Sequence, residues 1–387
     1  MILIKNGTLY TMEKEGIQDQ TDILLGDGKI LAIGRNLQAE NARVIDAAGK
    51  LVFPGFIDAH THLGMWEDGI GFEGADGNEM TDPITPHLRA IDAINPMDRT
   101  FAEALEAGIT AVATGPGSAN VIGGTFTAIK TWGHRVDEMV IKDPVAMKCA
   151  FGENPKRVYS EKKASPSTRM AIAAELRKAL YETREYLKQK NQGKQDPGKM
   201  PKYDMKLEAL IPVINGEIPL KAHAHRADDL FTAIRIAREF DIKVTLEHVT
   251  EGHLIAGELA KEGYPVVVGP SLSDRSKFEL RNLTFDTPGV LSRAGLQVAI
   301  TTDAPVVPLQ YLPLVAGLAV KWGMAPDRAL EAITLNPAQI LGIDGQVGSL
   351  KVGKDGDILI FDTHPFELQA RPRMVIIDGE IRMEREM

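Results

Sequence analysis

The stretch PGFIDAHTHLG, residues 54–64, decides how the rest of the chain is read. It completes an apolar run that begins at Leu51, the composition of a strand covered on both faces, and then sets His60 and His62 one residue apart. Side chains two positions apart on a strand share a side, so both imidazoles leave the strand's C-terminal end together. Two neutral imidazoles converging on one point make a nest for a divalent metal.

Working outward, a chain of 387 residues, 44% hydrophobic and 25% charged, is long enough for a barrel-sized domain and something smaller. Its formal net charge of -9 argues against nucleic acid or an anionic membrane as the main partner, since each wants a basic face. A single cysteine, Cys149, excludes an intramolecular disulfide framework and fits a reducing compartment. No window approaches the roughly 18 apolar residues of a membrane span, and MILIKNGTLY lacks the basic-then-apolar pattern of a secretion signal. The expectation is a cytoplasmic homo-oligomer acting on a small molecule, with no nucleic acid and no membrane as partner.

Residues 1–53 read as short strands broken by turns, with Asn6-Gly7 and Asp27-Gly28 as hairpin signals because glycine tolerates positive φ. Residues 349–352, 358–361 and 374–377, the last followed by Asp378-Gly379, have the same texture. Two strand-rich ends around a different middle predict one small discontinuous β-sandwich domain, residues 1–55 and 343–387. Between them, residues 56–342 alternate strand and helix. Strands are expected at 109–114, 145–150, 218–224, 242–246, 265–268 and 296–302, with helices from Asp98, over 168–190, 228–240, 252–263, 311–323 and 326–341. This is the pattern of an α/β chain folded as a (β/α)8 TIM-type barrel. GGTFTAIKTWG (123–133) and FGENPKR (151–157) read as loops.

In such a barrel the chemistry sits at the strands' C-terminal ends. There the chain places His60 and His62, then Lys148 inside an apolar run, then His223 and His225, then His248, and finally Asp303. Five of the nine histidines fall at expected strand ends, a concentration that random placement would rarely give.

The order HTH, a mid-barrel lysine, HAH, EH and TTDAP, bracketed by VFPGFIDAHTH (52–62) and VGSLKVGKDGDILIFD (347–362), resembles the metal-dependent amidohydrolase superfamily, nearest its imidazolonepropionase and prolidase-like branch. The resemblance covers essentially the whole chain. It implies that His60 and His62 bind the more buried of two divalent ions, that Lys148 bridges both as a carbamate, that His223 and His248 bind the second, and that Asp303 ligates the first while shuttling protons. His223 is preferred to His225 as ligand because related sequences put it first in this motif, which leaves His225 a catalytic or substrate contact. The residue types agree, since imidazole and carboxylate suit zinc, with iron, manganese, cobalt or nickel open to the same donors. Water on such an ion ionises near pH 7, and Asp303 is placed to accept its proton and deliver it to a leaving nitrogen.

The expected function is therefore hydrolysis of a C–N bond, in an amide, lactam or N-acyl amino acid, by metal-bound hydroxide. A prolidase-like metallodipeptidase is the alternative, and a non-catalytic scaffold the third, though a scaffold should have lost ligands and here none is missing. One departure is informative: the text HAHRADD (223–229) has Arg226 where a deaminase or an imidazolonepropionase would show glutamate. Arg226, Arg275 and Arg281 stand near the expected barrel mouth and predict a carboxylate-bearing substrate, because guanidinium matches carboxylate as a bidentate fork.

Overall fold

The computed structural model of the protein describes residues 1–68 and 71–385. Five strands open the chain: β1 (Ile2–Tyr10), β2 (Ile17–Gly26), β3 (Lys29–Gly34), β4 (Arg43–Asp46) and β5 (Leu51–Pro54). Eight follow in the middle: β6 (Phe56–Thr61), β7 (Ile109–Thr114), β8 (Ile122–Lys130), β9 (Val140–Ala150), β10 (Leu220–Ala224), β11 (Val244–His248), β12 (Val266–Val268) and β13 (Val298–Ile300). Three close the chain: β14 (Ile358–Phe361), β15 (Pro372–Ile377) and β16 (Glu380–Glu384).

Strands from both termini do combine, but into one hydrogen-bonded sheet of order β16-β15-β14-β5-β1-β2-β3, with β4 also on β1, rather than the two sheets of a true sandwich. Ile30 of β3 and Ile376 of β15 lie at opposite parts of that order yet share one apolar cluster with Ile4, Leu25 and Val52. The sheet must therefore fold over on itself, and its core lies inside the fold. The Asp27-Gly28 and Asp378-Gly379 signals are hairpin turns, joining β2 to β3 and β15 to β16. Asn6-Gly7 is not a turn. It is an irregularity within β1, where Asn6 has φ 61° and donates its N–H to the Asp22 carboxylate at 2.8 Å.

The middle strands form a nearly closed barrel in the order β6 to β13. Seven run parallel, but β8 is antiparallel to both β7 and β9. The expected (β/α)8 repeat is therefore interrupted: β7, β8 and β9 follow one another without a crossover helix between β7 and β8, and GGTFTAIK is strand, not loop. FGENPKR likewise enters the helix Glu153–Glu161. The last expected helix is two, Pro326–Glu331 and Leu335–Leu341. Ile57, Ala111, Phe126, Val145, Val267 and Ala299 form one cluster although they come from strands all around the barrel, so they face its interior.

The seam between β13 and β6 is stitched by side chains. Buried Asp58 accepts from the His60 N–H at 3.0 Å and from both the N–H and hydroxyl of Thr302 at 2.8 Å, while the Thr301 hydroxyl donates to the His60 carbonyl at 2.7 Å. Burial pushes the Asp58 carboxyl up to about 6 in spite of these donors. At the other end of β6, Gly55 links sheet to barrel, and a Cβ there would fall 1.9 Å from the Thr110 hydroxyl, so only glycine permits this approach. Both devices fix where β6 presents its histidines.

Candidate metal centre

All the expected donors converge at the strands' C-terminal ends. His60, His62 and Asp303 form one group and His223, His225 and His248 another, with donor atoms within 4.8 Å of each other inside each group. The groups adjoin, since the His60 and His248 rings are 4.8 Å apart between centroids. The backbone turns here: His248, Val249 and Asp303 have φ of 72°, 50° and 52°, a left-handed region that His and Asp tolerate but that β-branched Val249 occupies only under constraint.

Four rings are held by one nitrogen. His62 Nδ1 donates to the Gly115 carbonyl at 2.6 Å, His248 Nδ1 to the Gly269 carbonyl at 2.8 Å and His60 Nδ1 to Glu247 at 2.7 Å, while His225 Nδ1 shares a hydrogen bond with the Thr250 hydroxyl at 2.7 Å. Nε2 then points into the centre, toward Lys148 Nζ at 2.9 Å in the case of His60, which is how metal-binding imidazoles are usually oriented. Burial first, and neighbouring cations second, hold His60 and His223 well below the ordinary histidine range; burial does the same for His225 and His248. Neutral imidazole is the metal-binding form.

The fit to a metal rests on atoms that lack partners. Both nitrogens of His223, Nε2 of His248, Oδ1 of Asp303 and Oε1 of Glu279 are buried and unbonded. Each such atom costs about 1–3 kcal/mol if it stays unsatisfied, and their convergence on one place is what a cation would resolve. Nitrogen and carboxylate donors together suit zinc and its neighbours.

Lys148 belongs to the same place. It is 1% exposed, its Nζ lies 2.9 Å from His60 Nε2, and burial lowers its pKa to about 8. Phe126, on the unforeseen β8, lies below: Lys148 and Lys221 each stand 5.5 Å from its ring centroid and the His60 ring meets it at 5.3 Å. Lys221, also 1% exposed, pairs with Glu247 at 2.9 Å, so Glu247 joins a buried cation to the His60 ring. The sequence shows Glu247 only as the first residue of the EH pair and assigns nothing to Phe126 or Lys221; the even spacing of Lys221 and His223 along β10 is the available signal.

A cleft of about 390 Å³ opens over these groups, lined by His62, Trp66, His223, His225, Asp303 and Lys277 among others. The three arginines expected there do not line it. Arg226 pairs with Asp228 through two bonds of 2.9 Å, Arg275 donates to the Leu283 carbonyl at 2.6 Å, and Arg281 lies 3.3 Å from Glu251 and over the Phe278 ring. The cation lining the cleft is Lys277, whose Nζ donates to Asn154 Oδ1 at 2.9 Å. Glu279, in the same loop, is 1% exposed with Oε1 3.8 Å from His223 and 3.7 Å from His225.

A barrel with two adjoining clusters of nitrogen and oxygen donors at its strand ends could hold metal ions. Comparison with known proteins agrees. Residues 216–382 match the amidohydrolase family. A crystal structure of an amidohydrolase from Thermotoga maritima MSB8 superposes with a TM-score of 0.96 at 41% identity, covering 100% of both chains. The chain belongs to the amidohydrolase family, whose enzymes are hydrolases acting on C–N bonds. It is 28% identical to amidohydrolase tasK of Hapsidospora irregularis over 99% of its own length, but spans only 43% of that protein. A prolidase complexed with N-methylphosphonate-L-proline shares the fold at TM-score 0.61 and 16% identity, covering 99% of this chain and 100% of the other. Among the described residues no helix is long and apolar enough to cross a membrane.

Proposed function

We propose that the protein hydrolyses a C–N bond in a small amide, lactam or N-acyl amino acid with two divalent ions, zinc by default. His60, His62 and Asp303 would hold one ion and His223, His225 and His248 the other. The observation that carries this reading is the convergence of buried, partnerless donor atoms of His223, His248 and Asp303 beneath an open cleft. Divalent ions bound there supply Lewis acidity toward water and toward the scissile carbonyl.

The chain's own groups then divide the work. Asp303, 3.2 Å from His62 Nε2 and reachable from the cleft, takes the proton of the attacking water and passes it to the leaving nitrogen. Lys148, whose pKa burial lowers to about 8, has a neutral amine within reach that can add CO₂ with loss of one N–H proton to water, and the carbamate's single negative charge, shared by two oxygens, would face the ions. Lys277 offers a charge for a substrate carboxylate in the role first expected of arginine. A dipeptidase is the second reading, favoured by the same lysine, since a peptide's terminal carboxylate needs a cation.

The test offers metal-replete protein matched N-acyl amino acids, lactams and X-Pro dipeptides in H₂¹⁸O. Release of free amine with one ¹⁸O in the new carboxylate, abolished by chelator and restored by Zn²⁺, supports hydrolysis. No turnover of any of the three classes by protein with both ions bound would sink it and leave a binding scaffold.

A further inference from the structure

We infer that Glu279 is a carboxylate donor to the second centre, entering it beside His223 and His225. This rests on the metal reading above. It goes further by adding to the second site a carboxylate that does not come from Lys148.

The carboxylate is locked in position. Glu279 lies on the short turn Phe278–Leu280, and its Oε2 accepts the Glu153 N–H at 2.9 Å at the start of the helix Glu153–Glu161. Glu153 replies with its own carboxylate on the Glu279 N–H at 3.3 Å. Gly152, at φ 82°, makes room: a Cβ there would lie 2.8 Å from Glu279 Oε2.

That clasp accounts for Oε2 and the helix start favours its negative charge, but Oε1 has nothing. Removing a carboxylate from water costs several kcal/mol unless a cation compensates, and the nearby cations are committed elsewhere. Lys277 donates to Asn154, Arg275 to a carbonyl and Arg281 to Glu251. Oε1 is aimed instead at two imidazole nitrogens, 3.7 and 3.8 Å away, one of them on a ring with no hydrogen bond at either nitrogen. Those separations are too long for hydrogen bonds. They exceed by a few tenths of an ångström the roughly 3.4 Å between donors about 2.1 Å from a tetrahedral zinc, a gap that an ion drawing Oε1 toward both rings would close.

The test measures metal content and Zn²⁺ affinity of the full chain, wild type against Glu279→Gln, with the visible spectrum of the Co²⁺ forms as a second readout. Glutamine keeps the shape and can still accept from Glu153, but removes the charge. The expected result is two ions in the wild type, with the variant keeping one and binding the other at least about tenfold more weakly with altered Co²⁺ bands. Gly152→Ala, which crowds the carboxylate out of place, should repeat the loss if Glu279→Gln folds poorly. If the wild type holds a single ion, the inference survives only if Glu279→Gln weakens it. A variant that binds every ion with wild-type affinity and spectrum overturns the inference while leaving the hydrolase reading intact. A wild type that takes up no divalent ion overturns both.

Discussion

Glu247 accepts the His60 Nδ1–H at 2.7 Å while its same oxygen lies 2.9 Å from the ammonium of Lys221, so one buried carboxylate orients a metal-facing ring and neutralises a lysine. Replacing it should therefore have two separable effects. Glu247→Gln keeps a hydrogen-bonding group but abandons Lys221, and losing one partner of a buried pair costs about 3–5 kcal/mol, visible as a lower Tm. Metal affinity should fall about 10- to 100-fold through loss of ring orientation. A double variant with Lys221→Met should recover much of the Tm but little of the affinity; recovery of both would show that Glu247 acts on stability alone.

Lys148→Ala should lose activity and part of the bound metal. Bicarbonate with a short carboxylic acid should restore some of each, because the acid re-supplies two oxygens where the carbamate stood. Full metal content and full rate in the unsupplemented variant would return Lys148 to a packing role over Phe126.

Asp303→Asn should leave the barrel folded, since the change is nearly isosteric at a partly exposed position. Proton transfer contributes about 10²- to 10⁴-fold, so kcat should drop by at least the lower figure. Because Asp303 is also a proposed ligand, metal content is measured alongside. A kcat within tenfold of wild type would remove Asp303 from the proton path.

How much of this could be seen in the sequence varied with how local the cause was. Strand periodicity and the order of histidines placed His60, His62, His223 and His248 on the right face because a two-residue repeat needs no knowledge of distant contacts. β8 escaped because Gly123-Gly124, with Lys130 and Gly133 further on, reads as a glycine-rich charged loop, and an antiparallel insertion has no place in a strand-then-helix repeat. Asn6-Gly7 misled for the reverse reason: positive φ serves a bulge as well as a turn. Loop side chains depend on what the fold brings near them. Arg226, Arg275 and Arg281 found Asp228, a carbonyl and Glu251, while Glu279 was buried by contact with Glu153, which is 126 residues away.

The cleft's charge is the remaining question, and Lys277 decides it. Its ammonium lies close enough to add to the depression of His223 and His225, and it lines the cleft with a neutral amide, Asn154, as its one hydrogen-bond partner among the described residues. A carboxylate entering the cleft would exchange that neutral bond for a charge-assisted one, worth about 1.5–3 kcal/mol. Wild-type protein should therefore turn over an N-acyl amino acid with at least about tenfold higher kcat/KM than its methyl ester. Lys277→Met, which retains the apolar stem, should erase that preference by slowing the acid and sparing the ester. Arg226→Gln, Arg275→Gln and Arg281→Gln should each keep the preference, since their guanidinium groups face other partners. Equal rates for acid and ester in the wild type would turn the reading toward a neutral lactam. A preference lost in an arginine variant but kept in Lys277→Met would mean that the loop rearranges when substrate binds.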